Sequence, residues 1–472
     1  MEYFEKKDRT KYLLKNTAIF TIGNISSKLM SFFLVPLYTK TLNTSEYGTL
    51  DLITTICTMV LPILTLNIGE SVLRFNLDKD ANRDAIAKIG ILIVCTSLSV
   101  GVCIIPISNS IPILSDYSLL IYLYVILAGA NQIFLCDLRG KEYLILYSIG
   151  NLLNAILTAF FNIIFLIFLQ WNLKGYLLAC ILSNLFVSVY SIFVGQCYKS
   201  LFYPIDKYLL KNMLRYSLVL IPNSLMWWIM NSSDRVMVTN LLGSDKNGIY
   251  AISYKLPTTI SLFASFFNQA WQYSAIKEAG ARDEVEYSNQ VLKYLTASAM
   301  FTGVCLLITI KPFLKIYVPK EYYEAWEYTP FLTIGCIFLA ISTFLSTSYT
   351  INKDGFGFLI SGTVGACINI ILNFLLIPEF KLYGAAVATC MSYITVFVFR
   401  SLHTRQYIKY EILNKEFIIG TVFLLISSLM MFLDGIWPIV VQTALILTEL
   451  YLFKFIWIPI LAKVKIGGRN GS

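Results

Sequence analysis

The chain has 472 residues, of which 57% are hydrophobic, 15% aromatic and 14% charged. Soluble domains carry about 25% charged residues, so this composition excludes a water-soluble globular class. The net charge of +9 comes from basic residues lying between apolar runs, which points to lipid headgroups and topology control rather than nucleic acid.

A bilayer core takes about 20 apolar residues per helix. Fourteen such runs follow in chain order, at 16–38, 49–69, 87–109, 116–137, 143–169, 174–197, 213–241, 248–272, 291–313, 326–349, 357–378, 383–402, 415–434 and 437–461. Barrel strands would be about half as long and would alternate, so the runs predict an all-α integral membrane protein of about 14 transmembrane helices. The first run is too long for a signal-peptide core and is expected to remain as a span. With a cytoplasmic N-terminus, segments placed inside hold 26 of the 37 basic residues. Segments placed outside hold 7, namely Lys40, Lys174, Lys246, Lys311, Lys315, Lys320 and Lys381. That asymmetry predicts cytoplasmic termini at both ends.

The two halves repeat each other. Leu42-Asn-Thr-Ser-Glu-Tyr-Gly48 follows span 1, and Leu242-Gly-Ser-Asp-Lys-Asn-Gly248 follows span 7. Asn162-Ile-Ile in span 5 matches Asn369-Ile-Ile in span 11, and Leu173-Lys-Gly175 matches Leu382-Tyr-Gly384. A parallel duplication is the reading: an N-lobe over 1–200, a C-lobe over 210–405 and an added helix pair over 410–465.

Three segments carry a wider likeness. They are Pro36-Leu-Tyr-Thr-Lys-Thr-Leu-Asn-Thr-Ser-Glu-Tyr-Gly48, then Asp234-Arg-Val-Met-Val-Thr-Asn-Leu-Leu-Gly243 continuing to Tyr254-Lys-Leu-Pro257, and Asn369-Ile-Ile-Leu-Asn-Phe-Leu-Leu-Ile-Pro378 with Tyr383-Gly-Ala-Ala-Val-Ala-Thr389. With these the chain resembles the polysaccharide-export branch of the multidrug/oligosaccharidyl-lipid/polysaccharide flippase superfamily. The resemblance implies two six-helix lobes forming a V, as in the superfamily's multidrug (MATE) members, often with two further helices. It also implies a flippase for undecaprenyl-diphosphate-linked oligosaccharide repeat units of O-antigen, capsule or exopolysaccharide. Such a protein works in the bacterial cytoplasmic membrane, beside a polymerase and a chain-length regulator, with H+ or Na+ as coupling ion.

An ion at a span centre costs about 2.5 to 3.5 kcal/mol on insertion scales, so intramembrane charges are candidates for function. Lys28 lies mid-span with Asn24 at i−4, a pair suited to a diphosphate; the alternative is a lysine ion-paired locally or snorkelling outward. Span 7 carries Asn223, Trp227, Asn231 and Asp234 on one polar stripe, with Arg235 about 100° away. Lys255, early in span 8, serves a cavity or an ion pair, for which Asp234 is one partner. The cavity candidates are therefore Lys28, Asn24, Arg235, Lys255, Asn231 and Trp227. Asp234, Asp51, Glu70 and Arg74 are gate or coupling candidates, the last two spaced at i,i+4 for a helix-end ion pair. Asp137 and Arg139 read as interfacial, and Trp228 and Trp271 as further candidates for stacking on sugars.

Ten cysteines without a C-x-x-C pair, and one histidine, His403, support neither a disulfide framework nor a zinc site. No phosphate-binding Gly-rich loop is present, and no cofactor is expected. Two other readings stay open: a cation-coupled multidrug exporter of the same superfamily, and a membrane polymerase or ligase, which would be an enzyme. The second needs a large outside loop, and the longest outside segment is about a dozen residues.

Overall fold

The computed structural model describes residues 30–78 and 80–455. Helices are the regular structure among them, and strands are absent among the described residues. In chain order the helices are α1 (Val35–Thr41), α2 (Thr44–Leu64), α3 (Ile68–Asn76), α4 (Arg83–Gly101), α5 (Ile104–Asn109), α6 (Ser118–Gly140), α7 (Leu144–Asn162), α8 (Asn172–Val194) and α9 (Lys207–Leu242). They continue with α10 (Ser244–Ser253), α11 (Pro257–Glu278), α12 (Glu284–Tyr317), α13 (Thr329–Leu345), α14 (Thr347–Ile351), α15 (Gly355–His403), α16 (Lys415–Met430) and α17 (Trp437–Leu452). The chain packs as two compact units, Met1–Trp228 and Ile229–Ser472, whose boundary falls inside α9.

Among the described residues, eight helical stretches are long and apolar enough to cross a membrane, and α17 is a shorter apolar helix. Large apolar side chains lie exposed along them, such as Phe193 and Phe374 at 65% and 70%. In water such surface would drive aggregation; in hydrocarbon it is the native surface. The protein is a multi-pass membrane protein. The polar stripe of α9 keeps that helix out of the apolar group.

Each unit is built around one central helix. In the first, α6 packs against α2, α3, α4 and α8. In the second, α13 packs against α11, α12 and α15. Small residues permit close approach where apolarity gives no net drive between helices. A Cβ on Gly335 of α13, for example, would lie 3.1 Å from Cys390 Cα of α15.

Spans 2 and 8 are interrupted, each beside a proline. Span 2 divides into α2 and α3 at Thr65–Asn67, where Leu66 and Asn67 take φ of 51° and 50°. Pro62 precedes this turn, and the Asn67 N–H closes it on the Pro62 carbonyl at 2.9 Å. The Ser97 hydroxyl of α4 caps the Leu64 carbonyl at 2.9 Å. Span 8 divides into α10 and α11 at Tyr254–Leu256. Pro257 has no N–H to give the Ser253 carbonyl, which receives the Thr329 hydroxyl at 3.4 Å. Spans 11 and 12 are the two helical halves of α15, which meet at Lys381 with φ 51° and ψ −128°.

The sequence repeat has a structural counterpart within each unit. In the first, Asn172 has φ 45° and Leu173 is buried, and a Cβ on Gly175 would lie 3.2 Å from the Phe165 carbonyl oxygen. In the second, Lys381 has φ 51° and Leu382 is buried, and a Cβ on Gly384 would lie 2.3 Å from the Leu376 carbonyl oxygen. Glycine is required there because the obstacle is backbone, which cannot step aside.

Gly384→Ala is therefore expected to destabilise the detergent-solubilised protein by about 3 kcal/mol, as overpacking does. Gly362→Ala, in the same helix with open space around it, is expected to leave the melting temperature unchanged or slightly raised. Thermal unfolding monitored by circular dichroism checks both, and equal effects at the two positions would contradict the assignment.

Candidate functional site

The break between α2 and α3 opens a cavity of about 420 Å³ inside the first unit. Its walls are Thr58, Leu61 and Pro62 of α2, Asn67 and Glu70 at the break and on α3, Gln132 of α6, and Leu220, Asn223 and Ser224 of α9. Two hydrogen bonds hold these walls. The Trp228 indole N–H donates to the Thr55 carbonyl at 2.8 Å, and the Ser71 hydroxyl donates to the Met213 carbonyl at 2.6 Å. Asn67 needs a left-handed conformation to turn the chain into α3, and asparagine tolerates it.

The lining is polar and carries one carboxylate, Glu70, and no basic residue. Amides, hydroxyls and a carboxylate can exchange hydrogen bonds with a hydroxyl-rich ligand, with Leu61, Pro62 and Leu220 as the apolar backing. Glu70 lines this cavity rather than pairing with Arg74. Arg74 Nη1 instead meets Asp78 Oδ1 at 2.6 Å, one turn toward the helix end. Asp51 is buried on α2, one turn before Thr55.

Asp137 stands at the end of its span, in the last turn of α6, and is buried there against its neighbours. The residue is 2% exposed and pairs with Lys141 Nζ at 2.6 Å. Asn76 Nδ2 donates to its other oxygen at 3.0 Å, and Lys141 also donates to the Gly195 carbonyl at 3.0 Å. A buried ion pair persists when its remaining valences are met in this way. The cluster joins the ends of α3, α6 and α8.

The predicted stripe on α9 is shared out. Asn223 lines the cavity, and Trp227 is half-buried in the first unit. Asn231 and Asp234 belong to the second unit, where Tyr393 donates its hydroxyl to Asn231 Oδ1 at 2.7 Å. Asp234 is fully buried. Its Oδ2 accepts hydroxyls from Tyr250 at 2.8 Å, Tyr254 at 3.0 Å and Thr389 at 3.0 Å. Its Oδ1 faces the Arg235 N–H at 2.9 Å. The Arg235 guanidinium sits 5.2 Å from the centre of the Tyr254 ring. Lys255 is half-buried in the turn that Pro257 creates.

A row of buried amides continues from this carboxylate. Asn369 accepts from Ser233 at 3.1 Å and from Asn373 at 2.9 Å, and donates to Ser392 at 3.3 Å and Thr389 at 3.5 Å. The first unit has its own version: Asn162 donates to Tyr38 at 3.2 Å, and Asn131 to Asn184 at 2.8 Å. Sequence reasoning found Asp234 but not its hydroxyl donors, although Tyr254 and Thr389 stand inside the motif segments. It also missed Asn67 and Gln132 on the cavity wall. Trp271 is core, stacked on Phe344 at 4.7 Å. Lys28 and Asn24 lie outside the described residues. Among the described residues, no three His, Cys, Asp or Glu side chains group as a metal site.

The sequence profile of the polysaccharide biosynthesis protein family matches residues 13–272, more than half of the chain. The chain belongs to that family. Capsular polysaccharide biosynthesis protein CapF of Staphylococcus aureus is 24% identical over 80% of this chain and 96% of its own. A membrane protein of Methanocaldococcus jannaschii is 28% identical over 31% of this chain, and the match spans 29% of that protein. Among solved structures, the lipid II flippase MurJ in an inward closed conformation superposes with a TM-score of 0.66 at 14% identity, covering 94% of this chain and 100% of that one. An inward-facing multidrug resistance MATE family transporter of the MOP superfamily gives 0.69 at 12% identity, covering 82% and 94%. These likenesses establish the fold. The chain is thus a polysaccharide biosynthesis family protein with the fold that the lipid II flippase and the MATE family transporter share.

Removing one hydroxyl from the Asp234 cluster leaves a buried carboxylate short of a donor. Tyr250→Phe and Tyr254→Phe are each expected to lower stability by about 1.5 to 3 kcal/mol. In an Asp234→Leu background the same changes are expected to cost much less. Chemical unfolding in mixed micelles measures the coupling, and additive effects would contradict the shared acceptor.

Proposed function

We propose that this protein flips undecaprenyl-diphosphate-linked oligosaccharide repeat units from the cytoplasmic to the outer leaflet of the bacterial cytoplasmic membrane, by alternating access. The observation that carries the reading is a polar cavity, open at a helix break, inside an apolar membrane protein of a polysaccharide biosynthesis family. The sugar portion lies against Glu70, Gln132 and Asn223, whose side chains match hydroxyl groups in both directions of hydrogen bonding. The diphosphate is drawn to basic groups, Lys28 with Asn24, and Arg235 and Lys255 with Asn231 and Trp227 close in sequence. The lipid tail remains in the bilayer.

Coupling to H+ or Na+ falls to buried carboxylates, with Asp234 and Asp51 as the candidates and Glu70 and Arg74 as gate elements. Both termini are cytoplasmic in this reading. A polymerase and a chain-length regulator receive the product outside.

Proteoliposomes loaded with a fluorescent lipid-diphosphate oligosaccharide test it, with outer-leaflet arrival read by quenching. Losing one charged contact worth about 1.5 to 3 kcal/mol slows flipping about ten- to hundredfold in Lys28→Ala, Arg235→Ala or Lys255→Ala. Unchanged flipping in all three, with normal reconstitution, contradicts the anion role. Transport of a cationic dye with no movement of the lipid contradicts the substrate class.

A further inference from the structure

The added helix pair holds a carboxylic acid that neither unit's polar network uses. Gln442 of α17 donates to the Ser427 carbonyl of α16 at 2.9 Å and to its hydroxyl at 3.2 Å, which fixes the register of the pair. Glu449 follows two turns later on the same face of α17. It is 0% exposed, and among the described residues neither carboxylate oxygen has a hydrogen-bond partner. Helix α12 packs against both α16 and α17, so Glu449 lies in a three-helix core.

Among the described residues, that core supplies nothing to hold a negative charge. Phe453, one turn after Glu449, is buried against Ala297 of α12, with Tyr294, Phe301 and Phe455 around them. Cys305 is the titratable group that α12 brings into electrostatic range of Glu449. From α16, Glu416 is held by Lys293 at 2.9 Å, and Lys293 also lies 4.7 Å from the Phe455 ring centre. Just past the end of α17, Lys454 is 5.2 Å from the Tyr451 ring centre. The Thr421 hydroxyl of α16 is likewise buried without a partner. An ion in such surroundings is neutralised before it is tolerated.

We propose that Glu449 is a proton-binding site: it holds a proton while α12, α16 and α17 are packed, and exchanges it only when α17 separates from its neighbours. The acid itself belongs to the added pair, and α12 closes the core around it. This makes the added pair a proton-dependent element, whatever substrate the two repeated halves carry.

Infrared difference spectroscopy of the full chain in lipid reads the proton directly. Wild type minus E449Q is expected to show the carbonyl band of a protonated carboxylic acid at pH 7, insensitive to brief exchange into heavy water. E449Q itself is expected to fold and melt within about 2 °C of wild type, because an amide is the neutral mimic of the acid. Above the midpoint of the site the band should fall about tenfold per pH unit. A difference spectrum with only a carboxylate signal at pH 7 overturns the proposal. Failure of E449Q to fold overturns it too, since the packed state would then need the charge. The readout involves no transport, so it stands or falls apart from the flippase reading.

Discussion

A carbonyl left open at a helix break inside a bilayer must find its donor within the protein, and that constraint organises this molecule. Water does not reach the hydrocarbon, so a helix can stop there only where side chains close the account. At the first break the turn satisfies itself from Asn67 to Pro62, and Ser97 covers Leu64. At the second, Thr329 reaches the carbonyl that Pro257 leaves open. These two places also carry the features with chemical content. The cavity with Glu70 opens at one, and Lys255 and Tyr254 stand at the other.

Asp234 follows the same logic with a charge in place of a carbonyl. Three hydroxyls from α10, α15 and the turn between α10 and α11 converge on one oxygen, so the carboxylate ties those segments together. Such an arrangement is costly to break one donor at a time. It also makes one acidic group the shared acceptor of all three segments. The Asp137–Lys141 pair does a different job, since its partners saturate it and leave no vacancy for a ligand.

Much of this was legible in the sequence, because length and apolarity are read directly from a run of residues. The spans, the membrane class and the Asn162/Asn369 correspondence came from that. The helix breaks did not, although Pro62 and Pro257 were visible: a proline in a span either kinks or breaks it, and the choice depends on whether a donor such as Thr329 lies across the interface. The burial of Asp137 is not visible in the sequence, because its partners Asn76 and Cys197 are distant along the chain. Glu449 gave no signal at all, being one acid in an apolar run whose isolation appears only after three helices pack. The stripe on α9 was found through its periodicity, but periodicity could not say that Asn223 and Asp234 serve different units.

The central claim is that water and substrate reach the wall of α9 at Asn223, inside an otherwise apolar bundle. A single cysteine at Asn223, in a background lacking the ten native cysteines, tests it with a hydrophilic thiol reagent in proteoliposomes. Thiolate forms only where water reaches. The account predicts prompt reaction at Asn223→Cys, slowed by lipid-linked oligosaccharide, beside a silent Phe374→Cys on the apolar surface. An Asn223→Cys as unreactive as Phe374→Cys would contradict it.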